Sequence, residues 1–248
     1  MISRHLQRVH GDELRGADLR REVRRSFDSY ARYWMESFRL PDTTPAELDA
    51  HMTAEGHERI DEALAAGKGC IMALPHLGGW DYAGAWFATQ GYKLTVVVEP
   101  LEPQELFEWF AAFRRSLGMT IVPLGREAGA AVLRALRGNE VVALLSDRDI
   151  GGGGVEVEFF GERTTLPAGP ATLAMRTGAP ILPTGIYFTG TDGHHGVVRP
   201  PLAVERTGRF REDVTRVTQA LAHELEDLIR AAPEQWHLFQ PNWPSDRE

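Results

Sequence analysis

Between residues 70 and 98 the spacing of apolar positions changes twice. Cys70-Ile71-Met72-Ala73-Leu74 is an unbroken apolar run, the stretch after Gly79 has helical spacing through Trp86, and Leu94-Thr95-Val96-Val97-Val98 is β-branched. Strand, tight turn at His76-Leu77-Gly78-Gly79, helix and strand make a βαβ unit, expected to be right-handed and parallel. The alternation continues downstream. A helix opening after Pro103 carries the bulky positions Phe107, Trp109, Phe110 and Phe113 and ends at Arg114 and Arg115. Strands are predicted over 119–123 and 141–145, with a helix over 128–136 between them. Residues 155–162 alternate as a strand with Glu156 and Glu158 on one side, and Pro167, Gly169 and Pro170 start a helix through Met175. Residues 181–188 read as a strand, 192–196 as a hairpin turn and 198–204 as the returning strand. From Asp213 the spacing of Val214, Val217, Leu221, Leu225 and Leu228 gives a long closing helix, and the aromatic tail 233–243 is expected to pack down. At the other end, Leu19, Val23, Phe27, Tyr30 and Trp34 predict an amphipathic helix over about 13–38, and 45–66 reads as a second helix closing at Gly67. No repeat or linker divides the chain. The pattern predicts one α/β domain over 1–248, with a central, mostly parallel sheet flanked by helices.

Composition narrows the function. Hydrophobic residues at 43% and charged residues at 25% describe an ordinary globular protein with a substantial core. A net charge of -8 argues against nucleic acid as principal partner. The charge is uneven: residues 1–40 hold nine arginines against six acidic residues, so the N-terminal part is the basic end. Arg15, Arg20, Arg21, Arg24, Arg25 and Arg32 lie among the apolar positions of the first helix. Such a helix packs on its own domain or lies on an anionic membrane surface, and the two are compatible. No apolar run approaches 18 residues and MISRHLQRVHG lacks an apolar middle, so the chain is expected in the cytoplasm. A single cysteine excludes an internal disulfide and a cysteine-rich zinc site. Cys70 lies six residues of strand, ~20 Å, from His76 and reads as core. The glycines at 151–154 precede no Gly-Lys-Ser/Thr and are read as a connection, and His194 and His195, adjacent in a turn, lack further ligands. No metal and no bound cofactor are expected.

The candidate chemistry sits in the turn. His76 and Asp81 are five residues apart, which on one helix would set them ~140° out of line. His76 therefore belongs to the strand's carboxyl end, where open α/β sheets bind ligands, and Asp81 to the first helical turn. The two glycines let the chain fold back so that Asp81 reaches the imidazole, fixes its tautomer and supports the imidazolium. The simpler reading is a turn hydrogen bond and a helix cap. Glu99 ends the next strand at the same edge, Arg114 and Arg115 are placed to meet anions, and Arg148 follows the strand over 141–145. The chain offers no Gly-x-Ser-x-Gly elbow and no reachable cysteine as a covalent nucleophile.

The blocks in order, His76 to Asp81, then FFGERTTLPAGPA, then APILPTGIY, resemble the bacterial lipid acyltransferases that include the lipid A late acyltransferases. SYARYWMESFRLP, SDRDIGGGGVEVEFFGE and PEQWHLFQPNW look like the actinobacterial phosphatidylinositol mannoside branch. The resemblance implies a glycerolipid acyltransferase-like fold and transfer of a long acyl chain, palmitoyl, from acyl-CoA as co-substrate to a mannose hydroxyl. It implies a peripheral protein at the cytoplasmic face of the plasma membrane, with a glycolipid acceptor as partner. By the matched motif His76 is the base and Asp81 its partner, and with no covalent nucleophile in reach direct transfer without an acyl-enzyme is expected. Glu99, Arg114 and Glu156 fall where such enzymes carry polar residues lining the site, with Glu156 expected to contact the pair. The oxyanion is expected to meet backbone amides near Gly78 and Gly79 or Arg148. Related enzymes carry a further segment ahead of the stretch corresponding to Ile2, so this chain is expected either to start late or to manage without it. Three alternatives stand beside this reading: another lipid acceptor (glycerol phosphate, lysophospholipid or a different glycolipid), a non-catalytic carrier that holds acyl chains in a groove lined by the bulky positions of the helix after Pro103, and a metal hydrolase, against which the lack of a third well-spaced ligand near His76 counts.

Overall fold

The computed structural model describes residues 1–11, 13–100 and 102–247. Helices α1 (Ile2–His10) and α2 (Gly16–Arg39) lead into α3 (Pro45–Ala50), which begins at a capping box. There the Thr44 hydroxyl accepts from the Glu47 amide while the Glu47 carboxylate accepts from the Thr44 amide. Strands and helices then alternate: β1 (Met52–Glu55), α4 (Glu58–Ala65), β2 (Cys70–Leu74), α5 (Trp80–Thr89), β3 (Leu94–Val98), α6 (Gln104–Ser116), β4 (Thr120–Pro123), α7 (Ala128–Arg137) and β5 (Val141–Leu145). A hairpin of β6 (Val155–Phe159) and β7 (Glu162–Leu166) follows, then α8 (Gly169–Thr177), β8 (Ile181–Thr189), β9 (Gly193–Val198) and α9 (Phe210–Ala231).

Seven strands form one sheet in the order β1-β9-β8-β2-β5-β3-β4. The run from β8 to β4 is parallel, and β9 with its parallel neighbour β1 runs the other way. Strand alternation sends Cys70, Met72 and Leu74 to the face covered by α3 to α6, and Ile71 and Ala73 to the face covered by α7, α8 and α9. The expected α/β sheet is therefore present, and its strand order has one consequence for the site. β2 and β3 are parallel but not adjacent, because β5 lies between them. β3 pairs with β5 only over Leu94, Thr95 and Val96 against Val141, Val142 and Ala143. Beyond that point Val97 and Val98 separate from Leu144 and Leu145, and the last three residues of both strands are only half-buried. The sheet opens a slot at the carboxyl end of this pair.

Other expectations are corrected locally. The helix predicted over 45–66 is broken by β1, since Met52 pairs beside His194 and Gly56 takes φ +74°, a left-handed conformation. The strand predicted over 198–204 ends at Val198, where Pro200 and Pro201 lack the amides a ladder needs. His194 and His195 lie in β9 itself rather than in a turn. The strand over 155–162 is one arm of a hairpin whose turn uses positive φ at Phe160 and Gly161, the geometry that suits a two-residue connection. The tail packs down as expected, burying Trp236, Leu238 and Trp243 in the core under α9. α2 buries Ser26, Tyr33 and Ser37 and leaves Phe27 55% and Phe38 59% exposed, so its apolar positions are divided between the core and solvent. Among the described residues no helix is long and apolar enough to cross a membrane.

Candidate active site

β2 and β5 are in register, Leu74 beside Leu145. Carried two residues further, that register sets His76 beside Asp147. The Asp147 Oδ1 accepts from the His76 Nδ1 at 2.7 Å, and its Oδ2 accepts from the His76 amide at 3.0 Å and the Trp236 indole at 2.8 Å. Burial by itself would raise the Asp147 carboxyl, but the adjacent His76 charge and these hydrogen bonds hold it below the usual carboxylate range. An ionised Asp147 can only accept, so it holds the ring's proton on Nδ1, which donates to it, and leaves the lone pair on Nε2. The turn that carries the ring is fixed on both sides. Gly78 has φ +59°, and a Cβ there would meet the Ile186 carbonyl oxygen at 2.3 Å, so only glycine fits. The tail lies against the turn, with the Gly78 amide donating to the Gln235 carbonyl at 3.0 Å and the His237 amide to the His76 carbonyl at 2.7 Å.

Asp81 does not meet the imidazole, which corrects the expected pair. It stands in the first turn of α5 and is turned toward α6 and α2. Arg114 grips it with two bonds of 2.7 and 2.9 Å, and the Tyr33 hydroxyl donates to it at 2.7 Å. Burial would lower the Arg114 guanidinium, but the Asp81 charge outweighs it and raises it. Burial, then the Asp81 charge, raises the Tyr33 phenol well above its ordinary value, so it stays a donor. Asp81 thus ties three elements together behind the ring, and Arg114 is committed to it rather than to a free anion.

A cavity of about 640 Å³ opens at His76. Its walls include Val96 and Val98 from one face of β3 and Val97 from the other, and Ala143 and Leu145 with Leu144 from β5. Neighbouring strand residues point to opposite faces, so the cavity reaches both faces through the slot. The walls are mostly apolar; of the charged residues among them, Glu99, Arg148 and Asp149 come from the strand ends and the loop after β5, Asp81 and Arg114 from their ion pair, and Arg176 from the last turn of α8. Arg148 faces Glu99 at 3.4 Å in a loose ion pair. Trp80 presents its edge to the His76 ring, 5.5 Å between centroids.

Glu156 is the second correction. On β6 it shares the outward parity of Glu158, while Val157 and Phe159 face the core, and it pairs with Arg163 at 3.1 Å in solvent. It is not among the residues that line the cavity. The Gly78 amide, proposed for an oxyanion, is occupied by Gln235. Cys70 is fully buried, and burial pushes its thiol up to about 12. His194 is buried, stacked on Tyr82 at 3.7 Å, with its Nε2 on Glu36 at 2.8 Å. Among the described residues no group of three or more His, Cys, Asp or Glu is arranged for a metal ion. Asp147, Trp236 and His237 were missed in the sequence. The trace was there, since Asp147 stands two residues past its strand just as His76 does.

His237 carries a pH prediction. Its Nε2 meets the Ser29 hydroxyl at 2.8 Å, and burial, then the His76 charge, lowers its imidazole to about 3. In the unfolded chain the same group binds a proton near ~6.5. The unfolded state therefore holds more protons between these values, and stability falls as the pH drops through that window. The expected loss from this group is about 2 kcal/mol by pH 5. Urea midpoints measured from pH 7 to 5 should fall more steeply for the wild type than for His237→Gln. His5, which burial also lowers, contributes equally to both curves and cancels in the difference. Parallel curves would overturn the assignment.

Comparison with known proteins adds the following. A family model described as bacterial lipid A biosynthesis acyltransferase matches residues 3–245. The phosphatidylinositol mannoside acyltransferase of Mycobacterium tuberculosis is 42% identical over 226 residues, covering 89% of this chain and 70% of that protein. The protein of the same name from Mycolicibacterium smegmatis is 40% identical over 227 residues, covering 90% and 73%. The lipid A biosynthesis acyltransferase of Haemophilus influenzae is 27% identical over 185 residues, covering 73% and 55%.

Proposed function

The chain belongs to the bacterial lipid A biosynthesis acyltransferase family, and from that premise we propose that it transfers a long acyl chain, palmitoyl, from acyl-CoA to a mannose hydroxyl of a phosphatidylinositol mannoside. The observation that carries the reading is His76, backed through Nδ1 by Asp147 at 2.7 Å, opening on an apolar cavity. An alcohol is a poor nucleophile at neutral pH, and imidazole, with an ordinary pKa near ~6.5, is suited to draw its proton. His76 Nε2 takes that proton as the mannose oxygen attacks the thioester carbonyl carbon. The tetrahedral adduct collapses with loss of the C–S bond, and coenzyme A leaves as the thiol with the proton from the imidazolium. Asp147 holds the ring in place and stabilises the imidazolium meanwhile. Arg148, beside the cavity mouth, meets the developing oxyanion. The mechanism needs no acyl-enzyme, and the buried Cys70 offers none.

A peripheral seat on the cytoplasmic face of the plasma membrane fits the surface around α2. Phe27, Phe38 and Trp109 are exposed, and the rings of Phe38 and Trp109 lie 5.8 Å apart. Exposed arginines Arg20, Arg21 and Arg24 share the helix, a pairing suited to anionic lipid. α6 carries both Trp109 at this surface and Arg114 behind the site.

The test uses purified protein, palmitoyl-CoA and phosphatidylinositol mannoside in mixed micelles, reading free coenzyme A and acylated lipid. Release that depends on the mannosylated lipid is expected. Tight binding of palmitoyl-CoA without release would mark a carrier, and release with lysophospholipid or glycerol phosphate instead would move the acceptor.

A further inference from the structure

The part of the cavity beneath α5 has a closed end. Its wall runs from Glu99 and His76 at the carboxyl end of the sheet to Leu94, the first residue of β3, and Met119, just ahead of β4. Four strand steps from Leu94 to Val98 give a depth of ~13 Å. One bilayer leaflet, half of a ~30 Å hydrocarbon core, is ~15 Å deep, so the arm is scaled to one long acyl chain. Glu99, Arg148 and Asp149 lie toward the carboxyl end, and the far end beneath α5 is Gly84, Phe87, Leu94 and Met119.

Gly84 is out of character for its place. It stands inside α5, where glycine weakens a helix, and it lines the cavity. A Cβ built there would lie 2.5 Å from the Met119 Cε, 3.1 Å from its Sδ and 3.7 Å from the Leu94 Cδ2. The missing side chain is the space in which the Met119 thioether rests. Leu94 and Met119 are themselves buried, which sets this end of the arm away from solvent.

We propose that Met119, seated over Gly84, is the end wall that sets the longest acyl chain this arm accepts. The inference rests on the reading of the protein as a long-chain acyltransferase and names two specificity residues within it. Gly84→Ala displaces the flexible end of Met119 into the arm and shortens it. Met119→Ala removes the wall and lengthens it.

The experiment measures kcat/KM of the full chain and both variants with saturated acyl-CoA donors from C10 to C20 and phosphatidylinositol mannoside as acceptor. A single methylene that does not fit a hydrophobic pocket changes discrimination by about 10- to 200-fold. Gly84→Ala should therefore lower the C16 to C12 ratio by about tenfold or more, and Met119→Ala should raise the C20 to C16 ratio by a similar factor. If Met119→Ala fails to fold, Gly84→Ala carries the test, because it moves only an unbranched thioether end. A wild type that transfers palmitoyl, with Gly84→Ala folded and its chain-length profile unchanged, overturns the wall and leaves the transferase reading intact. A wild type that transfers no chain of any length overturns the transferase reading, and the wall falls with it.

Discussion

Replacing His76 with alanine lowers palmitoyl transfer by about 10²–10⁴-fold, the usual contribution of a positioned base. The fold survives this change. The backbone bonds of residue 76, to Asp147 and from His237, do not depend on the ring. Asp147 keeps two of its three donors, the residue 76 amide and the Trp236 indole. One lost bond at a buried carboxylate costs about 1–3 kcal/mol, which thermal unfolding will show as a lowered but cooperative transition. The decisive measurement is turnover at saturating donor and acceptor. Near-normal turnover in a folded His76→Ala protein would remove the imidazole from the mechanism.

The reason this residue was visible in the sequence, while its partner was not, is a matter of range. His76 is placed by local rules: an apolar run that ends at Leu74, then a proline, then two glycines, then helical spacing. Every one of those is read within ten residues. Its partner is placed by strand order, and strand order is decided by packing across the whole domain. The parallel βαβ unit puts Glu99 at the same edge as His76, but β5 lies between β2 and β3 and sets Asp147 beside the ring. Asp81 failed for a related reason. Its five-residue spacing from His76 was right for a turn and a first helical turn, but the direction of its carboxylate is set by Arg114 on α6 and Tyr33 on α2. Glu156 follows from likeness alone; the alternation of β6 sets it on one side with Glu158, and in the structure that side faces away from the core. The strand expected over 198–204 stops at Val198 for a local reason, since Pro200 and Pro201 cannot donate to a ladder. The family was legible because ordered blocks from residue 29 to residue 243 carry it, and blocks of that kind survive an error in strand order.

Asp147→Asn separates the two carboxylates. The side-chain oxygen that the substitution retains can still accept from the residue 76 amide and the Trp236 indole, so the local fold is held. The new amide group then points at the His76 Nδ1 and donates, which forces the ring's proton onto Nε2. That is the tautomer that cannot take a proton from an alcohol. Transfer should fall by about 10²–10⁴-fold in kcat, with KM for the acceptor little changed, because the loss is of a proton acceptor and not of a contact to lipid. The wild-type carboxylate is held below its ordinary range, so its share of stability is present above ~3.9 and is lost as the pH falls through its folded value. Asp147→Asn lacks that titration and should lose less stability than the wild type on acidification below pH ~4. Asp81→Asn should behave in the opposite way. It leaves Arg114 buried without its counter-charge, a change that costs about 3–5 kcal/mol, so its effect appears first in thermal stability rather than in the rate of the folded fraction. An Asp147→Asn protein that turns over within threefold of the wild type, beside a folded Asp81→Asn protein that does not, would hand the partnership with the imidazole back to Asp81.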